Sequence, residues 1–289
     1  MQRDDVFVSP QWLLERADHP DVIAVDASWY LPTMTREGQP RDARMEYEAG
    51  HIGGAVFFDL DAISDQKSDL PHMMPDPVTF ASAMRRLGLS NAHTLVVYDG
   101  LGLFSAPRAW WMLRSFGAKR VYLLDGGLPA WIEAGYPLSD QPVRRQPSHF
   151  VAQFDSSSVA HSADVLKAVQ GNDAAIIDAR PRARFEGAEP EPRPGLRAGH
   201  IAGSQSLPFT GVQQDGRMLP TEALESLFKD AKIDTDQPII TSCGSGVSAV
   251  TLGLALSLAG AQDVRIYDGS WAEWGADPDL PIGKGPQTS

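Results

Sequence analysis

Short apolar runs recur along the chain, each closing on a polar residue or a turn and giving way to a stretch of helical spacing. Val22-Ile23-Ala24-Val25-Asp26, Leu95-Val96-Val97-Tyr98-Asp99, Val121-Tyr122-Leu123-Leu124, Ala175-Ile176-Ile177-Asp178 and Pro238-Ile239-Ile240-Thr241 are apolar at consecutive rather than alternate positions. That pattern predicts strands covered on both faces. Between them, Ser9 can cap an opening helix with Pro10 in its first position, and residues 77–87 and 105–116 carry helical spacing. A short helix is expected around Trp131, and 247–258 is apolar on every side, which predicts a buried helix. Strands alternating with helices predict an α/β fold whose mainly parallel sheets are flanked by helices on both faces.

The order of features repeats. Ala175 to Asp178 answers Val22 to Asp26, Gly199-His200-Ile201-Ala202-Gly203 answers Gly50-His51-Ile52-Gly53-Gly54, and Tyr267 through Trp274 answers Leu124 through Trp131. Each recurs roughly 150 residues later, so the chain reads as a tandem duplication. The halves are expected at 1–138 and 159–289, joined by a Pro-, Gln- and Ser-rich linker at 139–158 that lacks either periodicity. Superposing the repeats puts Asp99 where the second half has Cys243, so thiol chemistry belongs to the second half alone. The first half is left as scaffold and as one wall of a cleft between domains.

Composition narrows the choice of partners. The 289 residues carry 25 Lys and Arg against 37 Asp and Glu, a formal charge of −12. Nucleic acid and anionic membranes are therefore poor partners. Hydrophobic residues make up 43% and charged residues 21%, the balance of a globular protein. The single cysteine rules out an internal disulfide and fits a reducing compartment. No apolar leader opens the chain and no run is long enough to span a bilayer, so the cytoplasm is the expected location. Gly126-Gly127 and Gly100-x-Gly102 are only fragments of a dinucleotide loop. The seven histidines form no spaced metal cluster, and no cofactor is expected.

The candidate chemistry centres on Cys243. The thiol sits between the strand at 238–241 and the helix at 247–258, on the turn Cys243-Gly244-Ser245-Gly246-Val247-Ser248. Gly244 and Gly246 let the backbone curl so that its amides face one concavity at a helix start, which favours an anion there. A free cysteine in an arbitrary protein is usually a small buried hydrophobe. Here the strand end, the Gly-x-Gly turn and the helix start instead favour a reactive thiolate.

These residues resemble the rhodanese superfamily of sulfurtransferases. The resemblance rests on Asp-x-Arg at Asp178-Ala179-Arg180, the repeated Gly-His-Ile-x-Gly, the cysteine loop and the Asp-Gly-Gly/Ser-x-x-x-Trp segments. It covers nearly the whole chain in the two-domain form, two tandem rhodanese-like domains with an inactive first half. Cys-Gly-Ser-Gly-Val-Ser is similar to the loop of the 3-mercaptopyruvate sulfurtransferase subfamily, whereas thiosulfate-specific relatives carry Arg-Lys in place of Gly244-Ser245. The segments 26–32 and 104–108 resemble the same subfamily.

The resemblance implies sulfur transfer through a Cys243 persulfide, from 3-mercaptopyruvate to a thiol or cyanide acceptor, with thioredoxin the expected protein acceptor. Gly244, Gly246, Val247 and Ser248 would line the anion cradle. Arg184 and Arg193 match the positions that hold the substrate's carboxylate and carbonyl; their competing role is surface pairing with Glu186, Glu189 or Glu191. Proton delivery to departing pyruvate suggests a Ser–His–Asp arrangement, for which Ser245, His51 and Asp42 are the candidates. His51 has a competing role, because its repeat mate His200 could simply bond backbone carbonyls. Trp131 and Trp274 read as core, and Phe104 and Arg108 as core and surface residues. Two other readings stand beside this one: a thiosulfate:cyanide sulfurtransferase, and a phosphatase-like or purely binding module. A six-residue loop with no closing arginine argues against holding phosphate.

Overall fold

The computed structural model describes residues 1–171 and 173–286. Each half is built on one five-stranded parallel sheet. In the first the spatial order is Phe7–Val8, Arg120–Leu124, Thr94–Tyr98, Val22–Asp26 and Val56–Phe57. In the second it is Val159–Ala160, Val264–Tyr267, Ile239–Ser242, Ala175–Asp178 and Gln205–Ser206. The sequence order across the two sheets is the same, and so is the central register: Asp26 lies opposite Tyr98 as Asp178 lies opposite Ser242. Two α/β domains of one topology therefore follow one another, as the repeat predicts. The last residues of the second half, 287–289, lie outside the described residues.

The expected helices form where the pattern places them, with caps that explain their starts. Ser9 accepts from the Trp12 amide at the head of Pro10–Leu14. Asp76 accepts from Val78 and Thr79 at the head of Pro77–Arg86. Trp131 and Trp274 are buried and play matching parts, each indole donating to a proline carbonyl, Pro137 and Pro281. The stretch after Ser139 runs along the first half rather than hanging free. Phe150 is buried there, and the amides of Gln153 and Asp155 donate to Phe116 and Ser115.

One large apolar core crosses the seam between the halves. Its centre is the contact between the helices Ala106–Ser115 and Ser248–Leu258, both buried over most of their length. A helix without a polar face can be satisfied only between two layers. This explains why the Cys243 loop, which starts the second of these helices, faces the other half. Backbones also meet at the seam: a Cβ on Gly102, whose φ is +102°, would lie 2.6 Å from Gly216 Cα. No helix among the described residues is long and apolar enough to cross a membrane.

Candidate active site

Cys243 directly follows the strand Ile239–Ser242 and is 2% exposed. The Ser270 hydroxyl holds the loop from behind, accepting from the Cys243 amide at 3.2 Å and the Gly246 amide at 3.1 Å while donating to Tyr267 O. The carbonyls of Cys243 and Gly244 accept from Trp271 and Ala272. These bonds leave other amides of the turn unused. Those of Gly244, Ser245, Val247 and Ser248 have no acceptor among the described residues, and Val247 gives the helix no side-chain cap. Unpaired amides at a helix start favour an anion, the property the sequence suggests for this turn. Gly246 has φ +74°, and a Cβ there would meet Asp268 O at 2.8 Å, so only glycine fits.

Both expected arginines converge on Gly244. A Cβ at that position would sit 3.1 Å from Arg184 Nη2 and 4.0 Å from Arg193 Nη1, so a side chain larger than glycine's would crowd the guanidinium groups. Arg184, on the short helix Arg182–Phe185, is pinned by Glu191. Glu191 also pairs with Arg180, whose guanidinium grips Asp178 with a closest contact of 2.7 Å. Arg193 forms no ion pair among the described residues; its Nη2 donates to Ser245 Oγ at 3.4 Å. Burial pulls its pKa down, opposed by the negative charge available at Cys243. A half-buried guanidinium without a carboxylate partner, beside a nucleophile, is free to bind an anion.

The structure does not bring His51 or Asp42 to Ser245. His51 lies in the first half's strand His51–Ile52, opposite Ser139, its Nδ1 2.8 Å from Tyr47 O and its ring stacked on Tyr47. His200 repeats this arrangement with Phe185, at 2.8 Å and with stacked rings. The Gly-His-Ile motif therefore ties a helix end to a strand in both halves, and His51 is not brought to Ser245. Asp42 is likewise elsewhere: it caps the helix Ala43–Ala49 by accepting from Met45 N at 2.9 Å.

His72 takes the place assigned to His51. Its Nδ1 lies 3.0 Å from Ser245 Oγ and its Nε2 lies 3.0 Å from Asp61 Oδ1. Asp61 sits on the helix Leu60–Ile63; the His72 hydrogen bond holds its carboxyl below the usual range against partial burial, helped by the Trp29 indole. That indole donates to Asp61 Oδ2 at 3.0 Å while its ring stands edge-on to His72 at 4.6 Å. His72 is 5% exposed and has φ +62°, a left-handed conformation that must be held by its surroundings. Ser245, His72 and Asp61 thus form a connected line across the seam, and a cavity of 360 Å³ lined by Asp61, Ser64, His72 and Arg193 opens beside it. Two larger cavities, of 460 and 670 Å³, lie on the first half away from the cysteine.

Arg108 also departs from expectation. It is fully buried, 2.7 Å from Asp268, and donates to backbone carbonyls on both sides of the seam. Among the described residues no group of His, Cys, Asp and Glu could hold a metal ion.

Comparison with known proteins gives the family of the chain. The model of the Rhodanese-like domain matches residues 9–134 and 162–277. The chain is 46% identical to the 3-mercaptopyruvate sulfurtransferase of Escherichia coli strain K12, over 96% of this chain and 97% of that one. It is 43% identical to the Homo sapiens protein of the same name, over 93% and 91%. The crystal structure of SseA from Escherichia coli, described with the rhodanese fold and mechanism of this enzyme class, matches with a TM-score of 0.83. It is 44% identical and covers 94% of this chain and 99% of its own.

Proposed function

This chain belongs to the rhodanese family, and from its site we infer that it is a sulfurtransferase that takes sulfur from 3-mercaptopyruvate. The Cys243 thiolate attacks the substrate's sulfur. A sulfur–sulfur bond forms, the carbon–sulfur bond breaks, and its electron pair leaves with pyruvate as the enolate. The persulfide then gives its outer sulfur to a thiol or to cyanide. Thiolate and persulfide are both anions, and the unpaired amides of Gly244, Ser245, Val247 and Ser248 suit either without rearrangement. Arg193, with Arg184 beside it, serves the substrate's carboxylate and carbonyl.

The enolate needs a proton. With Asp61 accepting from His72 Nε2, the other ring nitrogen faces Ser245 Oγ. An imidazolium at His72 can then reprotonate Ser245 as the hydroxyl passes its own proton to the departing enolate. The reading is carried by a single observation: the chain's only cysteine opens a loop whose free amides and two guanidinium groups converge where Gly244 leaves room.

Thiosulfate as donor is the second reading, and the loop argues against it. A doubly charged donor favours cationic loop positions, and Gly244 and Ser245 are neutral. A thiol acceptor, thioredoxin in particular, and a reducing compartment such as the cytoplasm suit a lone nucleophilic cysteine. Intact-mass measurement after mixing with each donor tests the reading. Mercaptopyruvate should add one sulfur, and prior alkylation of Cys243 should block the gain; a larger kcat/KM for thiosulfate would reject the donor assignment. Arg193→Lys should raise KM for mercaptopyruvate about tenfold with a smaller change in kcat, because one ammonium cannot replace a guanidinium fork. An unchanged KM removes Arg193 from the site.

A further inference from the structure

His72 belongs to an irregular stretch of the first half, yet it must meet a hydroxyl in the second half at hydrogen-bonding distance. A left-handed residue in a segment without regular structure does not hold such a position unaided. Its backbone is held immediately after the ring, at two points. The His72 carbonyl accepts from Arg108 Nη2, and two residues on, the Met74 amide donates to Asp268 Oδ2 at 2.7 Å. Arg108 and Asp268 are themselves paired at 2.7 Å, with 0% and 2% exposure of their side chains.

The same guanidinium reaches the other partner. Arg108 Nη1 donates at 3.2 Å to the carbonyl of Gly246, the residue after Ser245. One rigid planar group therefore touches the backbones that carry both His72 and Ser245. Given sulfur transfer through Cys243 as proposed above, we propose that Arg108 and Asp268 are positioning residues: a clamp across the domain seam that sets the approach of His72 to Ser245.

Two physical points favour this role over simple stabilisation. A buried ion pair is weak evidence for stability, since well-packed apolar residues often serve as well. Here, however, each charge also satisfies backbone groups that define the relay. The pair is also neutral as a unit, so no net charge is buried at the seam beside the relay. A lysine could neutralise Asp268, but as a point charge on a flexible stem it could not hold the carbonyls of His72 and Gly246 in one plane.

The test measures persulfide formation on Cys243 from 3-mercaptopyruvate in single turnovers, together with steady-state kcat and KM. The variants are Arg108→Lys, Arg108→Met and Asp268→Asn, each alone and combined with His72→Gln. Alone, Arg108→Lys should lower kcat roughly 10- to 100-fold, the scale expected when a reacting group is displaced by about 1 Å. KM should stay within about twofold, because neither Arg184 nor Arg193 is touched. With His72→Gln already present, the same substitution should cost less than about twofold more, because the relay it serves is gone. An equal fold loss with and without His72, a loss confined to KM, or no loss would overturn the clamp. If Arg108→Met does not fold, the isosteric Asp268→Asn decides by the same criterion. A wild-type protein that gains no sulfur overturns both readings; a reactive wild type lets the clamp fail alone.

Discussion

The loops after the third strand of each half share a scaffold and differ in what fills them. In the first half, Asp99 turns its carboxylate back into its own loop. It accepts from the amides of Leu101, Phe104, Ser105 and Ala106 at 2.8, 2.8, 2.9 and 2.8 Å. In the second half Cys243 occupies the corresponding place, the loop to the helix is two residues shorter, and the amides of Gly244, Ser245, Val247 and Ser248 have no acceptor among the described residues. On the proposed mechanism the fold builds one loop twice, closing the first with a built-in carboxylate and leaving the second open for a sulfur anion. The half without the cysteine still reaches the loop, because His72, Asp61 and Arg108 all come from it.

The largest expected effect comes from removing the one atom that distinguishes the open loop. Cys243→Ser should lower turnover by about 10⁵-fold or more, because the hydroxyl stays protonated near neutral pH. Its melting temperature should hold, since the two side chains differ little in volume. Residual sulfur transfer above background would mean that the first half contributes chemistry of its own.

The next effect separates the relay from the motif that imitates it. His72→Gln should lower kcat by about 10²- to 10³-fold with a small change in KM. His51→Gln should leave kcat within about twofold, because that ring only ties Tyr47's helix end to its strand. The reverse pattern would restore His51 to the mechanism. The contrast also shows how the sequence misleads. A histidine repeated in both halves, when only one half carries the nucleophile, is scaffold, and His200 makes the same bond as His51. His72 has no repeat mate and lies between helices, where no periodicity marks it. Its meeting with Ser245 arises only when the halves close.

What was legible followed from local physics. Buried strands declare themselves by continuous apolar runs, and the buried Ser248–Leu258 helix by its lack of a polar face. The arginines at Gly244 were reached through resemblance, not spacing. Arg108 was hidden because nothing in an isolated helix reveals that its charge will meet Asp268 across a seam. Elements and turns are written in neighbouring residues; the relay and its clamp are written in how two domains dock.

Closing the first loop has a stability counterpart. Asp99→Ala should destabilise the protein by about 3 kcal/mol, because four amides lose a charged acceptor and water can satisfy only some of them. Chemical denaturation would read this as a lower midpoint with an unchanged slope. A neutral outcome would mean that the first loop relaxes, and that its likeness to the active loop is one of shape alone.

The smallest effect comes from a second difference between the halves, at the end of the strands Val22–Asp26 and Ala175–Asp178. Asp178 is neutralised by Arg180, whereas the matching Asp26 is followed by Ala27-Ser28 and pairs with no cation among the described residues. Burial pushes Asp26 up to about 6 from its ordinary 3.8, against opposing hydrogen bonds from Ser28. The sign follows from proton binding. As pH rises from about 4 to 6 the unfolded chain releases this proton first, so the folded state holds more protons and Asp26 makes stability fall across that window. The loss is complete above the folded value and amounts to about 2–3 kcal/mol at most. Asp26→Asn keeps an oxygen for the Ser28 amide and cannot ionise, so it should match the wild type near pH 4 and exceed it near pH 7. Thermal unfolding of both proteins across that range measures the difference. Parallel curves would mean that Asp26 stays charged without Arg180's counterpart, and that the first half does not need a neutral acid at that strand end.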